Sequence, residues 1–134
     1  MGWWRVLKNG PKTSHKLSYL QINACESSRM FNKLLNNWDV SNVITMFEMF
    51  NYCENFNQPL NSWKVSNVTT MHSMFAFCKN FNQPLNNWDV SNVIDMEQIF
   101  FFCENLDQTF SNWNISNITN TDWMYLGCDH INNY

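Results

Sequence analysis

Apolar and polar positions recur along this chain at one fixed interval, which divides the sequence into repeats. The interval is set by two residue types, Trp at 38, 63, 88 and 113 and Cys at 53, 78, 103 and 128. A repeat of this length predicts stacked units, since one unit cannot bury its apolar side chains alone. We assign residues 1–30 to a basic N-terminal cap with a degenerate first repeat, and residues 31–134 to tandem repeats, the last incomplete.

Two local patterns divide each unit. Leu60, Trp63 and Val65 follow the L-x-x-L-x-L spacing of a short strand in leucine-rich repeats. The positions that follow have the spacing of one stripe on a short helix, namely Val68, Met71, Met74, Phe75 and Cys78. Ser66 and Asn67 are typical helix caps, and Pro84 favours an extended return to the next strand. The pattern predicts an α/β repeat solenoid, a leucine-rich-repeat-like right-handed coil with short parallel strands and short helices.

Two phrases of the repeat resemble a known family. The segment FNQPLNNWDVSNV and the pattern MFxxC are similar to the BspA-like leucine-rich-repeat family of surface proteins, over residues 31–134. The resemblance implies a leucine-rich-repeat fold, a domain of unknown function, a role in adhesion or protein contacts, and a cell-surface location. The segment 1–12 contains no signal peptide or lipobox, so we expect an intracellular location if the chain is complete.

Equivalent side chains of stacked units form columns. We expect the four Trp residues to form a buried column, the alternative being an exposed platform that stacks on carbohydrate. We predict a buried core for two further columns, one of Met46, Met71 and Met96, the other of Phe50, Phe75, Phe100 and Tyr125. A cofactor site is a weaker interpretation of such stripes, and we predict no cofactor.

Asn and Cys also form columns. The Asn columns hold residues 42, 67, 92 and 117, and residues 57, 82 and 132 with Asp107 between the last two. Stacked amides can satisfy the backbone or one another, whereas a metal or glycan site is the alternative. Stacked cysteines lie close enough for disulfides. We predict reduced, buried thiols, because the chain has five Cys and no secretion signal.

Composition excludes several classes. Only 14% of the 134 residues are charged, 16% are aromatic and the net charge is −3, which excludes a disordered chain and argues against nucleic-acid binding. Residues 1–33 carry a net charge of +5 and the remainder −8. We interpret the basic segment as a cap in which Trp3 and Trp4 cover the first unit, or alternatively as an arm for an acidic partner or membrane surface.

Charged and catalytic residue types give few signals. Asp39, Lys64 and Asp89 form one column, and Glu54, Lys79 and Glu104 form a second, so adjacent units carry opposite charges that fix their register. The three His are scattered, and no nucleophile–base set is recognisable. We therefore predict no catalytic residue, no metal ligand and no enzyme activity, and no stretch is long enough for a transmembrane segment.

The sequence favours a non-catalytic module for protein–protein interaction or adhesion. Its expected partner is a protein of unknown identity. The candidate partner-binding face consists of the solvent-facing positions around each Trp, namely Asn37, Asp39, Ser41, Ser62, Lys64, Ser66, Asn87, Asp89, Ser91, Asn112, Asn114 and Ser116. The alternatives are a carbohydrate-binding surface module and a scaffold or repeat remnant without a specific ligand. The repeat has no visible C-terminal cap, which predicts a homodimer through the last unit, a truncated longer repeat being the alternative.

Overall fold

The computed structural model describes residues 31–131, and we number units 1 to 4 from residues 38, 63, 88 and 113. Within these residues there is no helix and no extended strand. The regular pairing consists of isolated parallel bridges that join Thr45 to Thr70, Thr70 to Asp95, and Asp95 to Asn120. The predicted α/β leucine-rich-repeat-like solenoid with short helices and parallel strands is therefore wrong, although the bridged partners do occupy equivalent positions of successive units.

The units stack through an alternating pattern of backbone hydrogen bonds. Every second N–H donates to a carbonyl of the next unit, at 2.8–3.0 Å; the donors are Met46, Glu48, Phe50 and Tyr52, and the acceptors are Thr70, His72, Met74 and Ala76. Of the N–H groups between them, those of Met49 and Asn51 donate within their own unit to the carbonyl three residues earlier, and that of Phe47 donates to Oγ1 of Thr45. The same alternation recurs between units 2 and 3 and between units 3 and 4. One segment therefore both folds back on itself and holds the next unit.

The helical spacing of Val68 to Cys78 is misleading because the same spacing also suits successive tight turns. An α-helix needs N–H donation to the carbonyl four residues earlier. Here Met74 and Cys78 donate instead to carbonyls three residues earlier, and Ser73 and Phe77 have positive φ of 52° and 60°. A left-handed residue at the third position of a turn reverses the chain and prevents helical propagation.

The predicted strand lacks its ladder. Trp63 donates its N–H to Leu60, and Val68 donates to Val65, at 3.0 and 2.9 Å, so turns bound this segment on both sides. Between those turns the described residues make no backbone-to-backbone hydrogen bond to a neighbouring unit. The parallel bonds that were expected around Trp63 lie instead along the segment that was expected to be helical.

The tryptophans form a buried column, which confirms the core prediction. Trp63, Trp88 and Trp113 are 3%, 3% and 7% exposed, and Trp38 is half-buried against the core. Each buried indole N–H donates to a leucine carbonyl 28 residues earlier, as from Trp88 to Leu60 at 2.9 Å. This bond satisfies the polar atom of a large apolar side chain. The exposed Trp platform for carbohydrate is therefore excluded for the three buried residues.

The phenylalanine column meets the tryptophans in the core. Phe75 stacks between Phe50 and Phe100, with ring centroids 5.4 and 5.7 Å away, and it contacts Trp88 at 6.3 Å. Met46, Met71 and Met96 are fully buried, and Tyr125 packs against the core at the last described unit. These columns confirm the predicted apolar interior.

The four cysteines of the described residues are buried and free, as predicted. The Cys78 thiol donates to the carbonyl of Phe50 at 3.0 Å, and Cys103 and Cys128 make the equivalent bonds one and two units later. Burial raises the pKa of Cys53 to about 12 and that of Cys128 to about 11, and it raises the pKa values of Cys78 and Cys103 well above their ordinary range. Such thiols are inert as nucleophiles and metal ligands.

Asparagine amides bridge the units, which confirms the amide interpretation of the Asn columns. Oδ1 of Asn57 accepts the backbone N–H of Asn82 at 2.9 Å and the side-chain amide of Gln83 at 3.0 Å. Asn67 donates to the carbonyl of Ser41 at 2.7 Å, and Asn92 and Asn117 repeat that bond. The amide therefore acts as an inter-unit clamp between successive described repeats.

Some predictions lie outside the described residues. They concern the basic cap with Trp3 and Trp4, the degenerate first repeat with Cys25, and Asn132. Within the described part of the chain, no helix has the length and apolar character needed to cross a bilayer.

Candidate functional site

The predicted partner-binding face is exposed or half-exposed at all twelve positions, from Asn37 to Ser116. Its backbone forms turns and short extended pieces rather than strands. In three units the side chain after the Trp fixes the local turn. Asp39 accepts both the backbone N–H and the hydroxyl of Ser41, at 3.0 and 2.6 Å, and Asp89 with Ser91 and Asn114 with Ser116 repeat the arrangement.

These hydrogen bonds perturb the two carboxylates. Donation from the Ser41 hydroxyl, then from its backbone N–H, lowers the pKa of Asp39, and the Lys64 charge adds a smaller lowering. The Ser91 hydroxyl and backbone N–H lower the pKa of Asp89 in the same way. Both carboxylates therefore stay ionised to more acidic pH than ordinary aspartates. The face presents fixed negative charges on units 1 and 3.

Unit 2 places a cation in the middle of this face. Lys64 is exposed between Asp39 and Asp89 in the column. A shallow depression of about 410 Å³ surrounds it, lined by residues 61–66, Asn87 and Asp89. The second charge column contains a direct ion pair, in which Lys79 Nζ lies 3.4 Å from Glu104 Oε1. Opposite charges therefore face each other between units 2 and 3, as the register interpretation expected.

A second surface was not recognised in the sequence. We call Tyr52, Phe77 and Phe102 the aromatic row, because they occupy one position of three successive units. Their rings stack at centroid distances of 4.4 and 5.5 Å, with interplanar angles of 6° and 10°. Tyr52 and Phe102 remain 41% and 38% exposed. The repeat frame contained this signal, since three aromatic residues share the position just before Cys.

Every member of the aromatic row has a left-handed backbone. The φ angles are 62°, 60° and 54° for Tyr52, Phe77 and Phe102. The equivalent residue of unit 4 is Gly127, with φ of 81°. A Cβ on Gly127 would lie 2.8 Å from Cγ and Cδ1 of Phe102, so the ring of Phe102 occupies the space that a side chain there would need. The row therefore ends at Gly127.

A third group of side chains joins units 2 and 3. His72 Nδ1 lies 3.8 Å from Asp95 Oδ2 and 3.6 Å from Glu97 Oε2. We call these three residues the His72 cluster. In the sequence the three histidines are scattered, and no metal ligand was predicted among them. The repeat frame held the missing signal, because Glu97 occupies the position of His72 one unit later and Asp95 lies two positions before it.

The last described unit leaves apolar side chains exposed. Ile115, Trp123 and Leu126 are exposed beside an open depression of about 840 Å³, whose lining includes Trp113 and Ile131. This surface is the one on which the homodimer prediction depends. No contact in the described residues shows what covers it, so the dimer stays a prediction.

Comparison with known proteins gives one match. A protein-family model described as "Mycoplasma protein of unknown function, DUF285" matches residues 20–134. No curated protein matches the chain, and no solved structure matches it. The match covers all of the tandem repeats at residues 31–134 and names no activity, ligand or partner.

Proposed function

The chain belongs to the DUF285 family, and we propose that it is a non-catalytic repeat module that recognises other proteins. The observation that supports this proposal is the aromatic row. Tyr52, Phe77 and Phe102 hold partly exposed rings on a left-handed backbone in three successive units. Aromatic side chains are enriched at protein interfaces and dominate their binding energy.

The turn at these three positions does not by itself require an aromatic ring. A non-glycine residue in the left-handed region costs roughly 1–2 kcal/mol. Gly127 occupies the same position of unit 4, so the turn itself does not need a ring. Stacking within the row offsets part of the strain, at about 0.5–1.5 kcal/mol per pair. The left-handed conformation also occurs at the turn positions of Ser73, Gln98 and Trp123, so the partly exposed rings are what distinguish the row.

The predicted polar face supplies the second part of the proposal. We propose that Lys64, flanked by Asp39 and Asp89, contributes charge complementarity to a partner. Because the carboxylates are already hydrogen-bonded to Ser41 and Ser91, their orientation is fixed before binding. Exposed charges add mainly to specificity and to the rate of association. The aromatic row is therefore the expected anchor, and the polar face is expected to modulate it.

Carbohydrate binding is supported less well. Sugar stacking needs an open aromatic face, but Phe77 has a neighbouring ring on each side within the row. The buried Trp column cannot serve as a platform. The scaffold interpretation is distinguished from protein recognition by experiment alone.

The proposal is tested by selecting peptides that bind the intact chain from a random phage-displayed peptide library. The anchor variant carries Tyr52→Gly, Phe77→Gly and Phe102→Gly, which keep the left-handed turns unstrained. We expect at least a tenfold loss of affinity for selected peptides in this variant. The matched control, Ile44→Ser with Ile94→Ser, removes exposed apolar side chains elsewhere and should retain binding.

A polar variant, Asp39→Ala with Lys64→Ala and Asp89→Ala, separates the two surfaces. We expect it to change the salt dependence of association more than the affinity at high salt. The proposal is wrong if no peptide is selected, or if selected peptides bind the anchor variant as tightly as the unchanged chain. Binding to a glycan array without peptide binding would favour the carbohydrate alternative.

A further inference from the structure

The His72 cluster brings three metal-ligating side chains together from two different units. The ligand atoms His72 Nδ1, Asp95 Oδ2 and Glu97 Oε2 all lie within 4.8 Å of one another. All three side chains are partly buried, with 22%, 33% and 26% exposure. Each side chain is therefore largely covered by protein but keeps part of its surface accessible to solvent.

Hydrogen bonds hold both carboxylates in place. Oδ1 of Asp95 accepts the backbone N–H of Glu97 at 3.0 Å, which leaves Oδ2 directed at the imidazole. Oε2 of Glu97 accepts a hydrogen bond from Asn120 Nδ2 of unit 4 at 2.8 Å. Carboxylates that bind metals are commonly oriented by such outer hydrogen bonds.

The imidazole is also oriented. The ring of Phe47 stacks on His72 with a centroid distance of 5.0 Å and an interplanar angle of 10°. One face of the imidazole is covered, and its Nδ1 edge faces the two carboxylates. The cluster thus has one nitrogen and two oxygen donors whose directions are set by neighbouring residues.

We propose that the His72 cluster binds a divalent transition-metal ion of the Zn²⁺ class, with water completing the coordination. Tetrahedral zinc with ligands at about 2.0–2.1 Å separates its ligand atoms by about 3.4 Å. Nδ1 of His72 lies 3.8 and 3.6 Å from the two carboxylate oxygens, which themselves lie within 4.8 Å of each other, so modest side-chain adjustments reach that geometry. A nitrogen donor with two carboxylates favours Zn²⁺ over Mg²⁺ or Ca²⁺, which prefer all-oxygen sites.

A bound ion would connect units 2 and 3, because His72 belongs to one and both carboxylates to the other. It would stabilise the folded chain by mass action, since the ligands converge only in the stack. This inference is independent of the proposed protein recognition, which depends on the aromatic row. Direct contacts between His72 and the two carboxylates would also join these units, but they would give no response to Zn²⁺.

The test measures Zn²⁺ binding by isothermal titration calorimetry and the melting temperature with and without Zn²⁺. The full chain is used with Cys25→Ser, which removes the one thiol that lies outside the described residues. Two variants copy residues found at the same position of another unit, His72→Phe as at Phe47 and Asp95→Thr as at Thr70. Both therefore suit the turns of this repeat. His130→Asn is the control, because His130 is exposed and lies outside the cluster.

We expect one Zn²⁺ per chain, a higher melting temperature with Zn²⁺, and an unchanged response in His130→Asn. His72→Phe and Asp95→Thr should each weaken Zn²⁺ binding at least tenfold and remove the thermal shift. Unchanged affinity in His72→Phe would overturn the proposal, as would no binding at millimolar Zn²⁺. An equal response to Mg²⁺ would also overturn it, since that result indicates general attraction of cations to carboxylates.

Discussion

Several residues of this chain have structural roles that their residue type alone does not reveal. Asn57 is polar and half-buried, yet its single Oδ1 accepts hydrogen bonds from both Asn82 and Gln83 of the next unit. Phe77 is a large apolar residue, yet it occupies a left-handed turn position at the surface. At this scale, the local backbone and the equivalent residue of the adjacent unit determine each residue's role together.

Gly127 provides the clearest residue-scale prediction. Gly127→Ala should lower the free energy of unfolding by about 1–3 kcal/mol, because φ is 81° and the new Cβ would lie 2.8 Å from the Phe102 ring. Urea denaturation measures the change. In a Phe102→Ala background the ring contact is absent and only the 3.1 Å approach to the Cα of residue 102 remains, so a smaller loss is expected there. Equal losses in both backgrounds would show that only backbone strain matters.

Asn57 gives a second prediction with a matched control. Asn57→Ala should cost about 1–3 kcal/mol, because it leaves the Asn82 N–H without its acceptor and leaves the Gln83 amide with only the Asn57 carbonyl, at 3.1 Å. Asn57→Asp keeps an acceptor oxygen at the same place, and its column neighbours Asn32 and Asn82 are uncharged. We expect Asp to retain most of the stability in thermal unfolding. The clamp interpretation fails if Asp and Ala are equally destabilising.

At the scale of the repeating element, each unit is a chain of turns whose alternate N–H groups bind the next unit. This arrangement makes the constant repeat length a requirement, because the acceptor of Met46 is Thr70 and that of Met71 is Asp95. Removing a whole unit keeps this frame, whereas removing a part of one does not. Adjacent-unit contacts, including Lys79 with Glu104, then decide how well the new neighbours fit.

Two unit deletions test the charge columns. Deletion of residues 63–87 would bring Glu54 beside Glu104 and Asp39 beside Asp89, whereas deletion of residues 88–112 would bring Lys79 beside Asp129. Both shortened chains should fold with lower stability. The first should be stabilised by added salt and the second should not, with a difference of roughly 0.5–1 kcal/mol between low and high salt. Chemical denaturation at two salt concentrations measures it, and identical salt responses would contradict the register role.

The sequence predicted which residues form the columns, but it did not predict the backbone conformation. Burial of Trp88, Phe75 and Cys78 followed from their recurrence in every unit, because identical apolar positions in stacked units converge on one core. The type of secondary structure did not follow. The apolar spacing after Met71 arises from successive turns with hydrogen bonds to the carbonyl three residues earlier as well as from a helix. Nothing in the residue types at Ser73 or Phe77 indicates positive φ, because that position ordinarily favours glycine.

Of the three candidate surfaces, the sequence predicted one and missed two. The polar face was found because residues flanking a buried Trp must point outward. The His72 cluster was missed because its members belong to different units, and only the stacking of those units brings such positions together. The aromatic row was missed because Tyr52 and Phe77 resemble core residues in type.

At the scale of the whole described stack, one continuous core runs from unit 1 to unit 4. The Phe column and the Trp column contact each other in successive units, and the Cys column follows them. Each Cys thiol, beginning with Cys78, donates to a carbonyl of the preceding unit. Exposure of these thiols therefore requires neighbouring units to separate.

Thiol reactivity measures that separation. In a Cys25→Ser chain at pH 8, we expect the four remaining cysteines to react with iodoacetamide more than about 100-fold slower than in denaturant, because burial raises the pKa of Cys53 to about 12. Cys128, whose pKa is raised to about 11, should react first. Mass spectrometry of the labelled peptides resolves the order. Rapid native labelling of Cys78 would contradict the buried column.

The alternating hydrogen bonds also set how the chain responds to mechanical tension. Each inter-unit bond joins residues of two adjacent units, so a force applied to one end loads the bonds of the terminal interface before those of the next. Units would therefore detach one after another from the loaded end, and the interfaces would not all break at once. Each detachment would release at most about 85 Å of extended chain. The end-to-end length of the chain would therefore increase in equal steps. The units still in the stack would keep their contacts with one another.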